Sequence, residues 1–163
     1  MTGPHTVAET ERAVESRLGA LKIDFESMQA VSNIFRAANA VRNHFERTAL
    51  APQNLTWTAF VVLWVAWIWE PLETRELALE AGISKATLTG VLNTLEGRGW
   101  VQRERADQDR RLMNVTMTTS GRRLMRQLFP ALNKQERVVA SKLTTAEKKN
   151  LAAMLKTVMA SIP

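Results

Sequence analysis

The chain has 163 residues, 45% of them hydrophobic, and a net charge of +6, which suits one folded domain with room for a core. It has no cysteine and only two histidines, His5 and His44. That excludes disulfides, thiol redox sensing and cysteine metal sites, and leaves too little imidazole for a His-rich zinc site. The charge is unevenly spread: residues 51–97 carry two basic and five acidic side chains, whereas residues 98–126 carry eight basic and three acidic.

In chain order, the N-terminus lacks an early basic region followed by an apolar run, so no secretory signal is read there. The uninterrupted apolar run from Ala59 to Trp69 spans 11 residues, too short to cross a bilayer. A cytoplasmic location and no membrane partner are expected. Val14, Leu18, Leu21, Phe25 and Met28 repeat in a four-three pattern, and Val31, Phe35, Ala38 and Phe45 extend an apolar face. Gly19 weakens a single continuous helix across this region, and Asp24 can cap a new one. Residues 1–50 are therefore expected to form N-terminal helices that need a partner surface.

Trp57, Phe60, Trp64 and Trp67 follow a three-four-three spacing on a helix ending before Pro71, with Trp69 just beyond. Two readings stand: a core helix buried on nearly all sides, or the aromatic wall of a small-molecule pocket. Arg42 and His44 on the preceding helix are candidate polar partners for such a ligand.

Thr74 is expected to cap a helix running to Ala81, and Gly82 supplies the backbone freedom needed just past a helix end. Ser84 caps the next helix. There Leu88, Val91, Leu92 and Leu95 form one buried stripe. Opposite them fall Ala86, Gly90 and Asn93, flanked by Thr87, Thr89 and Thr94. A small, polar outer face suits a helix lying in a major groove, with Lys85 at its start placed for phosphate. This is a helix-turn-helix. Gly97 and Gly99 end the second helix, and a two-stranded ribbon follows: Trp100 to Arg103, a charged tip over Asp107 to Arg111, and a return from Leu112 to Met117. Such a ribbon is a wing whose Arg110 and Arg111 can reach phosphates or a minor groove. Thr118 can cap a helix that continues past Pro130, where a kink is expected. Thr144-Thr145-Ala146-Glu147 is a capping box for a last helix with Leu151, Met154, Leu155 and Val158 on its apolar side.

The segments Leu95-Glu96-Gly97-Arg98-Gly99, Asp109-Arg110-Arg111 and Val115-Thr116-Met117-Thr118-Thr119-Ser120-Gly121 together resemble the multiple-antibiotic-resistance regulator (MarR) family. The resemblance covers roughly residues 24 to 162. It implies that Arg111 enters the minor groove and that Asp109 orients it. Met117 stands where the family usually has leucine, a volume-conserving exchange. Similar regulators often bind small aromatic or phenolic effectors. A urate-responsive branch typically carries an acidic residue where Val61 stands here, so a urate-type ligand does not fit.

The expected architecture is mainly α with a small β-wing. It is one MarR-like domain over 1–163, with N-terminal dimerisation helices over 1–50, a winged helix-turn-helix over 55–117 and C-terminal dimerisation helices over 118–163. The expected function is sequence-specific binding of double-stranded DNA by a homodimer, repressing at a pseudo-palindromic operator, with a small aromatic effector as the candidate releasing signal. The alternatives are an architectural, weakly specific DNA-binding protein and a protein-interaction module on a degenerate winged helix. No phosphate-cradling glycine loop and no Ser-His-acid set is found, so neither an enzyme nor a cofactor is expected.

Overall fold

Helix caps set most of the element boundaries. The computed structural model describes residues 4–105 and 112–162. The chain divides into two compact units, Met1–His44 and Phe45–Pro163.

In the first unit, Thr6 opens α1 (Val7–Leu18) with a capping box: its hydroxyl accepts from the Glu9 N–H, and the Glu9 carboxylate accepts from the Thr6 N–H at 2.7 Å. After a turn, the Asp24 carboxylate accepts from the Ser27 N–H at 2.9 Å and opens α2 (Phe25–Phe45). The four-three apolar pattern is thus split between two helices at Gly19, as the sequence suggests. Asn33 donates to Glu11 at 3.1 Å and ties α2 to α1. Neither α1 nor the part of α2 in this unit buries a residue; Phe35 is 67% exposed.

In the second unit, a π-helical turn (Glu46–Leu50) and a 3-10 turn (Ala51–Gln53) lead to α3 (Trp57–Trp69). Two side chains cap α3: Thr56 accepts from the Ala59 N–H at 3.2 Å, and Glu46 accepts from the Trp57 N–H at 2.7 Å. There follow β1 (Leu72–Glu73), α4 (Thr74–Glu80), α5 (Lys85–Gly97), β2 (Val101–Arg105), β3 (Met113–Met117), α6 (Thr119–Val139) and α7 (Thr145–Ala160).

The wing is larger than the two-stranded ribbon expected. β1 pairs antiparallel with β3 through Leu72–Val115 and Glu73–Asn114, making a three-stranded sheet in the order β1-β3-β2. A strand of two residues has no periodicity to read, and only its pairing partner creates it. Thr74 is also not the cap of α4. Glu73, the last residue of β1, occupies that position without a side-chain bond, and Thr74 is the first helical residue.

The core lies where α3, α5, α6 and the sheet meet. Leu50, Leu63, Leu77, Leu92, Leu95, Val101, Val115, Met117 and Met125 are each fully enclosed. Gly121 is required by packing: a Cβ there would lie 2.0 Å from the Trp100 carbonyl oxygen, so only glycine lets α6 begin against β2. Thr118 caps α6 by accepting from the Gly121 N–H at 3.0 Å, and its hydroxyl donates to the Gly99 carbonyl at 2.6 Å. α6 continues as one helix across Pro130. Glu70, just past α3, locks this corner. Its carboxylate accepts two bonds from Arg122, at 2.9 and 2.7 Å, and a third from the Met117 N–H at 2.7 Å. A bidentate pair with a third donor holds α3, β3 and α6 in one register.

Candidate nucleic-acid interface

The turn between α4 and α5 is built by backbone bonds that need a left-handed residue. Gly82, at φ 64°, lets its own N–H reach the Leu79 carbonyl and the Ile83 N–H reach the Ala78 carbonyl, both at 3.0 Å. These bonds satisfy the end of α4 and turn the chain so that Ser84 can begin α5 by accepting from the Thr87 N–H at 3.1 Å. The same pair of bonds closes α5 at Gly99, where the Gly99 N–H meets the Glu96 carbonyl at 2.8 Å and the Trp100 N–H meets Leu95 at 3.0 Å. Gly97 is inside the helix, so Gly99 alone ends it.

The two faces of α5 divide as the spacing requires. Leu88, Leu92 and Leu95 are at most 2% exposed, and Val91 is half-buried at the edge of the stripe. Ser84, Lys85, Ala86, Thr87, Thr89, Gly90, Asn93 and Thr94 are all exposed. Thr89 donates to the Lys85 carbonyl at 2.9 Å and Thr94 to the Gly90 carbonyl at 3.1 Å. Their hydroxyl protons are used locally, which leaves the hydroxyl oxygens free to act as acceptors.

Asn93 is oriented by residues that the sequence reading missed. Arg103 on β2 donates from Nη2 to Asn93 Oδ1 at 2.8 Å, from Nε to Glu96 Oε2 at 3.1 Å, and from its backbone N–H to Glu96 Oε1 at 3.2 Å. A second guanidinium bond from Nη2 also reaches Glu96. The Arg103 hydrogen bonds hold the Glu96 carboxyl below its ordinary range. Strand periodicity carries a signal for this: Arg103 is two residues beyond buried Val101 and so shares its face of β2. Arg98, by contrast, lies over the Trp100 ring at 4.8 Å and donates to the Gln53 carbonyl at 2.7 Å. The wing-tip residues Asp109, Arg110 and Arg111 lie outside the described residues.

The tryptophan helix fits neither of its two readings alone. Phe60 is buried, Trp57, Trp64 and Trp67 are half-buried, and Trp69 is 62% exposed. The rings form a ladder: Phe45 to Trp57 at 5.8 Å, Trp57 to Phe60 at 5.5 Å and Phe60 to Trp64 at 6.2 Å. Phe129 on α6 completes it, 4.5 Å from Trp64 and 6.1 Å from Trp67. Trp57, Phe60, Trp64 and Phe129 also line an open cleft of about 410 Å³, whereas Trp67 only packs on Phe129. Arg42 and His44 belong to the first unit, where Arg42 donates to Asn39 at 3.1 Å. Second-unit residues form the cleft.

Among the described residues there is no cluster of three or more metal-ligating side chains, and no single helix is long and apolar enough to cross a membrane. A helix-turn-helix with an exposed polar second helix and a sheet beside it defines the class of winged-helix DNA-binding proteins. The MarR family model matches residues 55–113. The HTH-type transcriptional regulator YwaE of Bacillus subtilis (strain 168) is 35% identical over 146 residues, spanning 88% of this chain and 85% of that protein. The chain therefore belongs to the MarR family and is a DNA-binding transcriptional regulator rather than an enzyme. Solved structures show the same fold. A MarR mutant from Escherichia coli complexed with operator DNA gives a TM-score of 0.75 at 24% identity, covering 85% of this chain and 96% of that one. Bordetella bronchiseptica BpsR, whose DNA binding is regulated by 6-hydroxynicotinic acid, gives 0.74 at 24% identity, covering 80% and 98%.

Proposed function

We propose that the chain is a cytoplasmic repressor that binds a pseudo-palindromic operator as a homodimer and releases it when a small aromatic molecule enters the cleft beside α3. The observation that carries this reading is the outer face of α5, small, polar and exposed from Ser84 to Thr94. An α-helix with such a face fits the major groove. Lys85 would meet phosphate, while Thr87, Thr89 and Asn93 would meet base edges, with Ala86, Gly90 and Thr94 allowing close approach. Asn93 can pair bidentately with adenine, since its Nδ2 is a donor and its Oδ1 keeps a lone pair beyond the Arg103 bond. Asp109, Arg110 and Arg111 would extend contact from the wing, Arg111 into a narrow minor groove. Two copies would place two such helices on two half-sites, using the exposed apolar sides of the terminal helices as their interface.

Selection of bound duplexes from a random DNA pool tests the reading. An inverted repeat is expected, and Asn93→Ala should relax one base pair in each half while Lys85→Ala weakens all sequences alike and flattens the salt slope. Arg111→Ala should lower operator affinity with helicity unchanged. A pool that yields no preferred sequence would leave an architectural protein as the better description, and no binding at low salt would leave a protein-interaction module.

A further inference from the structure

The cleft beside α3 has a charge opposite to that of the chain. Its ten lining residues include two carboxylates, Glu80 at the end of α4 and Glu136 on α6, and no lysine, arginine or histidine. The remaining lining is aromatic or aliphatic: three tryptophans, two phenylalanines, two valines and a leucine. The whole protein is at +6. The acidic lining therefore comes from the way the fold sets α4 and α6 on one cleft rather than from composition.

We propose, resting on the reading of this cleft as the effector site, that it selects aromatic monocations over aromatic acids. Two independent features favour positive charge. Trp57, Trp64 and Phe129 line the cleft with aromatic rings, whose quadrupole attracts a cation wherever a ring face is open to it. Glu80 and Glu136 add full negative charges at the same cleft, and Glu136 is oriented by the Asn133 amide, which donates to Oε2 at 2.7 Å. An aromatic carboxylate would lose water beside two like charges and meet no cationic partner among the lining residues. The volume of about 410 Å³ suits a molecule of two or three fused rings. Glu80 belongs to the first helix of the helix-turn-helix and Glu136 to α6, so a ligand in this cleft borders both the reading head and the helix behind it. Any resulting change in operator affinity must be matched by an equal effect of operator on ligand affinity.

Calorimetric titration of the full chain with N-methylquinolinium, neutral quinoline and 1-naphthoate compares fused two-ring aromatics of similar size in three charge states. The cation is expected to bind about tenfold more tightly than naphthoate, a preference that shrinks as salt is raised. Glu80→Gln and Glu136→Gln should each reduce cation affinity about threefold and leave quinoline unchanged, with Glu15→Gln on α1 as a charge-matched control without effect. Naphthoate binding as tightly as the cation, or a cation preference undiminished in the double glutamine variant, overturns the assignment of charge selectivity to this acidic cleft while the aromatic-effector reading stands. If none of the three binds, and Trp64→Phe leaves the titrations equally blank, the effector reading falls together with the inference.

Discussion

α5 and α7 are both amphipathic helices opened by a side-chain cap, and both carry apolar side chains at three- and four-residue spacing. α5 spans Lys85–Gly97 and encloses Leu88, Leu92 and Leu95, whereas α7 spans Thr145–Ala160 and buries nothing. On α7, Leu151 is 43% exposed, Met154 59% and Val158 41%. Capping and periodicity make a helix and choose its apolar side, but burial needs a surface to receive that side. For α5 the receiving surface is in the same chain, in α3, α4 and β2. For α7 none is found among the described residues of its own unit, which is the physical ground for proposing a dimer.

The comparison can first be broken at its buried end. Leu95→Ala is expected to cost about 2–5 kcal/mol of folding free energy in urea melts, and Gly121→Ala a comparable loss, since its new Cβ meets backbone. Met154→Ala should change the stability of a single folded chain by less than about 0.5 kcal/mol. Equal losses at Leu95 and Met154 would mean that α7 packs within its own chain. The next largest effect should come from Leu151→Glu combined with Val158→Glu. This variant is expected to keep its far-UV spectrum, sediment at the monomer mass, and lose about a hundredfold in operator affinity as the two half-sites become independent. A dimer of unchanged stability would remove α7 from the interface.

A smaller effect separates folding from reading on α5 itself. A Cβ on Gly90 meets nothing within 4 Å, so Gly90→Ala should stabilise the helix by roughly 0.5–1 kcal/mol in thermal melts. The same methyl would stand on the face proposed to enter the groove and should weaken operator binding severalfold. Stabilisation with undiminished binding would move the contact face away from Gly90. The smallest effect concerns the Arg103 clamp. Glu96 is held below its ordinary range, so its contribution is fully present at neutral pH and is lost as pH falls through the depressed folded-state value. Both partners are substantially exposed, so global stability should scarcely change. The Asn93 side-chain amide resonances should nevertheless shift as Glu96 protonates, and Glu96→Gln should abolish that shift. Arg103→Lys should loosen base preference at the Asn93 position, because an ammonium cannot span Asn93 and Glu96 as the guanidinium does.

Much of this molecule was legible in its residues. The Ser84, Thr118 and Thr144 caps, the left-handed Gly82, the buried stripe of α5 and its opposite polar face all follow from contacts within about five residues. So does the break between α1 and α2 at Gly19 and Asp24. Local bonds and helical periodicity act on neighbours in sequence, and a sequence displays its neighbours. The third strand, the Glu70–Arg122 lock, the Arg103–Asn93 bond and the closing of the aromatic ladder by Phe129 were decided by the tertiary structure. Glu70 and Arg122 are 52 residues apart, and no local pattern pairs them. The acidic lining of the cleft belongs to the same group. Glu80 and Glu136 are exposed helix carboxylates far apart in sequence, and only the packing that sets α4 and α6 on one cleft places both in its lining.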